Sequence, residues 1–332
     1  MVVYKKCHFY GSYKEMSSWG TYVPPPRLGY YQKLPLGSFK DTKEPSTVVS
    51  AYYDMKSKYD PTRYRGWMRL FLSIPFHLVF FTDADLVPFI EECRKGQEDR
   101  TRIIVVPREE WKANTFPPGF WEKQHAIDVE KDIHSPELYK IWYEKKEFVK
   151  RAIDLNAFGH STYVWADAAL IRNPEIYELV KDNFPVTERI PTDRMLLFNW
   201  WPYVRADDNF VEFPGGIRIK GPYAKPRIMG NLLAGSIDAW KRWDSLYDNC
   251  MQRFIAAGLF GGKDQNIMGV VAIEAKETVS LLDLRKISPE PWFYLILYLG
   301  VPDTLYKLFR SETSNKIKET YAGLLGRLKR YG

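Results

Sequence analysis

The chain lacks most of the features that would settle its class at a glance. It has only three cysteines, Cys7, Cys93 and Cys250, far apart and odd in number. With no C-x-x-C pair and no zinc-finger spacing, a disulfide framework or structural zinc is excluded, and reduced thiols in a cytosolic setting are expected. Histidine is equally sparse: His8, His77, His125, His134 and His160 show no metal-ligand spacing. The longest apolar run, 292–301, falls well short of the roughly 20 residues that a spanning helix needs. Lys5 and Lys6 are not followed by an apolar stretch, so no signal peptide is expected. No serine sits in a nucleophile-elbow context, which argues against covalent serine catalysis. Gly261-Gly262-Lys263 lacks the spacing of an ATP-binding P-loop.

What is present is a globular composition, 45% apolar and 16% aromatic. Aromatic rings can serve as flat platforms for sugar faces, although most of them are expected in the core. The net charge of +7 is concentrated at the ends. Residues 305–332 carry seven Lys/Arg against two Asp/Glu, and residues 1–45 carry seven against three, so the middle is close to neutral. Basic ends suit an anionic surface, and a nucleic-acid partner is not expected. Three segments are expected: a Pro- and Tyr-rich extended arm over 1–45, one catalytic domain over 46–300, and a basic tail over 301–332. The tail is the expected point of peripheral membrane contact, with Leu324, Leu325 and Leu328 giving it a small apolar face.

Within the middle segment, strands and helices alternate. Residues 47–54, 76–81, 102–107, 163–167, 195–200, 228–234 and 279–284 read as strands. Tyr64, Trp67, Met68, Phe71 and Leu72 line one helical face. Ser135-Pro136-Glu137 is a strong helix start, Ser236 caps a long helix, and Lys263-Asp264-Gln265 opens a further one. Asp85 is expected to cap a helix over 87–95, and residues 207–226 a hairpin or lid. This alternation predicts an α/β fold with a mainly parallel central sheet flanked by helices, a mixed, Rossmann-related single domain. Ligands would bind at the C-terminal ends of its strands.

The chemistry-bearing residues follow from that placement. Asp167 ends an apolar strand, Lys145 interrupts the buried face of the preceding helix, and Arg172 lies just beyond. A carboxylate and two cations around one strand end suit a diphosphate whose charge is shared with a divalent ion. Asp264 and Gln265 sit at a helix N-terminus, where anions are favoured. Asp83-Ala84-Asp85 after an apolar strand leaves a second reading open, a Mg²⁺-dependent phosphatase of the haloacid-dehalogenase type with Asp83 as nucleophile. A non-catalytic basic binding protein is the third.

Taken in order, residues 47–54, 79–83, 141–146, 163–172 and 262–265 resemble the HtrL/YibB family, which is associated with bacterial surface-polysaccharide loci and is similar to GT-A glycosyltransferases. The resemblance implies a GT-A-like fold and transfer of a sugar from a nucleotide sugar, UDP favoured, to a glycan or lipid-linked acceptor. It implies donor contacts from Ser50, Ala51, Tyr52, Tyr53, Asp54, Asp83, Lys145, Arg172 and Lys263. Asp167 would hold a divalent cation, Mn²⁺ or Mg²⁺. Asp264 and Gln265 would face the reacting sugar, and Asn231, within a strand, would border the acceptor together with Trp201. The chain departs from the GT-A pattern in keeping only the second acid of the Asp-x-Asp, as Trp165-Ala166-Asp167, and in having no histidine after His160. Either another acid such as Asp283 completes the metal shell, or the ion is weakly held or absent.

Overall fold

The computed structural model describes residues 44–55, 59–199, 203–283 and 294–302, all within a compact unit spanning Leu34–Gly332. The basic tail from residue 303, almost all of the N-terminal arm and Trp201 lie outside the described residues.

Seven strands form the main sheet: β1 (Thr47–Tyr52), β2 (His77–Thr82), β3 (Thr101–Val105), β4 (Thr162–Ala166), β5 (Met195–Asn199), β8 (Leu232–Ser236) and β9 (Val279–Asp283). A separate hairpin is made by β6 (Phe210–Phe213) and β7 (Ile217–Lys220). The main sheet runs β3-β2-β1-β4-β8-β5-β9. Every pairing is parallel except those of β8, which runs against both β4 and β5. The expected mainly parallel α/β sheet is therefore observed. β4 is buried along nearly its whole length, as a strand covered on both faces must be.

The helices start where the sequence places caps. In α1 (Pro61–Leu72) Asp60 accepts from the Arg63 amide, and in α4 (Pro136–Leu155) Ser135 accepts from Leu138. In α6 (Ile237–Ala256) Ser236 accepts from Ala239. One expected cap is not made. The helix α2 (Val87–Cys93) has Leu86 at its cap position, Asp85 lies exposed in a preceding 3-10 turn, and the Asp83 carboxylate is drawn to Arg108 instead. The remaining helices are α3 (Phe120–Ile127), α5 (Pro174–Val180), α7 (Asp264–Glu274) and α8 (Tyr294–Gly300).

Two cores sandwich the sheet. On one face Val48, Phe80, Val164 and Phe198 pack against Met68 and Phe71 of α1, Ile176 of α5 and Leu297 of α8. On the other, Phe148 of α4 stacks on Tyr53, Phe81 and Trp165. A buried guanidinium ties the turn between α1 and β2 to the end of α2. Arg94 donates to the carbonyls of Leu72, Ile74 and Phe76 at 2.7–2.9 Å and to Thr101 Oγ1 at 2.8 Å. Among the described residues no carboxylate forms an ion pair with it, and burial, with the nearby Arg100 charge, lowers its pKa to about 10.

Candidate functional site

Strands β2 and β3 extend the sheet to one side of β1, and β4 lies on the other. The chain order thus reverses between β1 and β4, and in open α/β sheets ligands occupy the crevice outside the C-terminal ends of the strands at that point. Asp167 is the first residue beyond β4. Its backbone N–H donates to the Asn231 carbonyl at 2.9 Å, which joins it to the segment entering the reversed strand β8.

Three sequence-remote groups meet here. Lys145 Nζ, on the middle of α4, lies 2.7 Å from the Gly230 carbonyl, 3.0 Å from Asp264 Oδ2 and 3.4 Å from Asp167 Oδ1. Asp264, the first residue of α7, is 5% exposed, and its Oδ1 accepts from the Gln265 N–H at 2.8 Å. Gln265 Nε2 donates to the Ile228 carbonyl at 2.7 Å. The Asp167 side chain is 39% exposed, and its Oδ1 also accepts from Trp165 Nε1 at 2.9 Å. Glycine is required at 230, since a Cβ there would lie 2.8 Å from Asp264 Oδ2.

Burial raises the Asp264 pKa; the Lys145 ammonium opposes that shift and the Asp167 carboxylate adds to it. Burial alone would lower the Lys145 pKa, but Asp167 and Asp264 outweigh it and raise the value, so this ammonium stays charged. Asn231 is 3% exposed, and neither end of its carboxamide has a hydrogen-bond partner. Asn266 Oδ1, in the first turn of α7, is also buried without one. Buried polar groups are almost always paired, so this concentration of unmet capacity marks a place where a polar ligand or water completes the structure. Behind the ion pair a cavity of about 20 Å³, lined by Tyr143, Lys145, Lys146, Tyr247 and Asp264 among others, has room for one water.

The structure thus brings together Lys145, Asp167, Asp264, Gln265 and Asn231. Asn231 lies just before β8 rather than within a strand, because the chain bends at Gly230–Asn231. The other expected donor residues are placed differently. Ser50 is buried and its hydroxyl donates to the Ala166 carbonyl at 2.6 Å, stitching β1 to β4. Tyr53 points into the α4 core and donates to the Val106 carbonyl, and Ala51 is also buried. From these three only backbone is left for a ligand. Asp54 is held by Arg65 at 2.7 Å, and Asp83 by Arg108 at 2.9 Å. Arg108 also donates to the Asp54 carbonyl, closing the end of β1. Half-buried Tyr52, its phenol pKa raised chiefly by burial, packs near Tyr64. Arg172 lies over the Trp67 ring, 4.5 Å from its centroid. Lys263 is paired with Glu130.

Two acidic clusters that spacing did not reveal could each hold a divalent ion: Asp128, Glu130 and His134, and Glu147, Asp244 and Asp248. In both, cations already sit among the carboxylates. Lys263 pairs with Glu130, while Lys112 and Lys146 lie 2.5–3.0 Å from the second set. At Asp167 the fit is different. The Lys145 ammonium bridges it to Asp264, which removes Asp264 as a ligand, but among the described residues no protein group pairs with the second oxygen of the half-exposed Asp167. Mg²⁺ is commonly held by one or two carboxylates with phosphate oxygens of a substrate completing the shell, and Asp167 fits that role. Comparison of the chain with models of protein families and with curated protein sequences gave no match.

Proposed function

We propose that the protein is a GT-A-like glycosyltransferase that moves a sugar from a nucleotide sugar, UDP favoured, to a glycan or lipid-linked acceptor. The observation that carries this reading is the Lys145 ammonium set between buried Asp264 and half-exposed Asp167, beside the unpartnered Asn231 carboxamide, at the strand-order reversal of a mainly parallel sheet. The order β3-β2-β1-β4 is that of a nucleotide-binding Rossmann half, which supports the donor side of the reading. The sequence resemblance to the HtrL/YibB family, which rests in part on the same residues, points the same way.

In this reading Lys145 supplies fixed positive charge beside the departing diphosphate in a site largely shielded from water, where such charge acts strongly. Asp167 is the ligand for a divalent cation, which when bound would neutralise diphosphate charge. The buried Asp264 faces the sugar, with Gln265 fixing the start of α7 through Ile228. The Asn231 carboxamide can both donate to and accept from sugar hydroxyls. The backbone at the end of β1, braced by Asp54, Asp83, Arg65 and Arg108, forms the nucleotide side. The phosphatase reading gains nothing from the structure, because Asp83 is engaged by Arg108.

Thermal melting against UDP, GDP and a panel of their sugars, with and without Mn²⁺, tests the proposal. A ligand at 100 times its dissociation constant stabilises the fold by about 2.7 kcal/mol. A shift with one nucleotide sugar is expected, and Asp167→Ala should remove its Mn²⁺ dependence while leaving the apo melting temperature in place. Absence of a shift with every nucleotide and sugar would sink the reading.

A further inference from the structure

Between β5 and β8 the chain leaves the C-terminal edge of the sheet, makes the β6–β7 hairpin, and returns through Ile228 to Gly230 and Asn231. Among the described residues this hairpin is held to the helices of the body through β7. Ile219 of β7 is fully buried, the Lys220 amide donates to Glu274 of α7, and Arg253 of α6 donates to the Arg218 carbonyl. Gly221 allows the close return, since a Cβ there would strike the Asp207 backbone. β6 stands off: Phe210, Val211 and Glu212 are all exposed, Phe210 by 46% and Val211 by 37%. An ordinary half-buried strand would alternate, and this one does not.

From Phe210 to Ile217 the sequence is Phe-Val-Glu-Phe-Pro-Gly-Gly-Ile, with Glu212 its one charge. The same excursion carries the exposed cations Arg205, Arg218 and Lys225, with Arg218 opposite Glu212 across the hairpin. The other acids of the excursion are neutralised internally, Asp207 by Arg227 and Asp208 by Lys220 and Lys276. The Arg218 guanidinium lies 4.4 Å from the centre of the Phe210 ring, so aromatic and cation share one surface. Exposed apolar side chains in an excursion that carries three exposed cations against one exposed acid complement an anionic bilayer, with the apolar groups at the acyl boundary and the cations among the headgroups.

We propose that the β6–β7 hairpin is a membrane-contact element that takes an anionic lipid surface. A four-residue strand is short for pairing with a partner strand, and its flanking cations match lipid phosphates. The contact adjoins the site edge through Gly230 and Asn231, and it does not depend on the glycosyltransferase reading.

Co-sedimentation of the full chain with phosphatidylcholine vesicles, with and without phosphatidylglycerol, tests it. The chain should bind the anionic vesicles and bind the neutral ones much more weakly. Phe210→Ser with Val211→Ser should weaken binding on the order of tenfold, as expected for withdrawing large apolar side chains from the interface. Arg218→Gln should weaken it about fivefold. Both sites are exposed, so melting temperatures should not change. Failure of the wild-type chain to bind anionic vesicles would overturn the proposal. So would equal binding to neutral vesicles, or unchanged binding by the hairpin variants, which would place the contact elsewhere, such as the basic stretch 305–332.

Discussion

Replacing Lys145 by methionine tests the site geometry without any knowledge of substrate. The side chain keeps most of its volume, but the ammonium between Gly230 O, Asp264 Oδ2 and Asp167 Oδ1 is lost. Asp167 is part-exposed and water replaces much of the loss there, so its contribution is small. Asp264 is buried, and stripping one partner from a buried pair typically costs 3–5 kcal/mol because the other charge is left uncompensated. The pH dependence follows from the sign of the Asp264 shift. Its folded pKa is already raised by burial, and removing the opposing ammonium raises it further. A carboxyl with a raised folded pKa stabilises fully below its unfolded value, near 3.8, and loses that stability as pH rises. Lys145→Met should therefore lie close to the wild type near pH 4 and fall behind at higher pH, by at most about 1.4 kcal/mol per pH unit. Urea unfolding monitored by tryptophan fluorescence across pH 4–9 reads this difference. Adding Asp264→Asn should return stability toward wild type at pH 8, since the unpaired charge is gone. A loss that is the same at every pH, or no loss, would mean that the ammonium does not sit between these carboxylates in solution.

Two further predictions concern groups away from the site. Glu144 is fully buried, accepts from the Ala113 amide at 2.6 Å, and has its pKa raised to about 7 by burial. Its contribution is complete below about pH 4.5 and is lost as pH rises toward and past 7, up to about 3 kcal/mol. Glu144→Gln should flatten that part of the stability–pH profile and be the more stable form at pH 8 by urea titration. Arg94→Met strands the carbonyls of Leu72, Ile74 and Phe76, and at about 1–3 kcal/mol for each buried unmet group it should lower the unfolding free energy by about 3 kcal/mol or more, read as a lower urea midpoint at unchanged m-value. A loss below 1 kcal/mol would show that the carbonyls find water instead.

Much of the fold was legible because strand–helix alternation and cap chemistry are local signals. Asp60-Pro61, Ser135-Pro136 and Ser236 announce helix starts through hydrogen bonds that span three residues. Asp83 shows the limit. Read locally, Asp83-Ala84-Asp85 is a cap or a catalytic pair, but Arg108, 25 residues later, claims the carboxylate. The side chains of Ser50 and Tyr53 show the same limit: strand periodicity does not say which backbone carbonyl a buried hydroxyl will find. Of the two acidic clusters, Asp128, Glu130 and His134 share one turn and their spacing was not read as a ligand set, while Glu147 of α4 meets Asp244 and Asp248 of α6 only through packing. The site was partly legible. Lys145 stood out as a charge on an apolar helical face, Asp167 as the acid ending a buried strand, and Asp264 as the acid opening a helix.

What joins those three is the one reversed strand, whose direction no local pattern indicated. A parallel neighbour at the position of β8 would begin at the opposite edge of the sheet from Asp167. Because β8 runs backwards, its entry segment lies where β4 ends, and the Asn231 carbonyl takes the Asp167 N–H. That register places Gly230 directly beneath α7, where only a residue without a side chain leaves space for the Asp264 carboxylate. The Gly230 carbonyl then becomes the third ligand of the Lys145 ammonium, which holds a buried charge with one carbonyl and two acids of unequal exposure. Each of the three ammonium protons thus has an acceptor, and the contact to half-exposed Asp167, at 3.4 Å, is the longest. On the proposed glycosyltransferase reading, an arriving diphosphate would meet positive charge already fixed in place beside Asp167, with no rearrangement of the protein needed to present it.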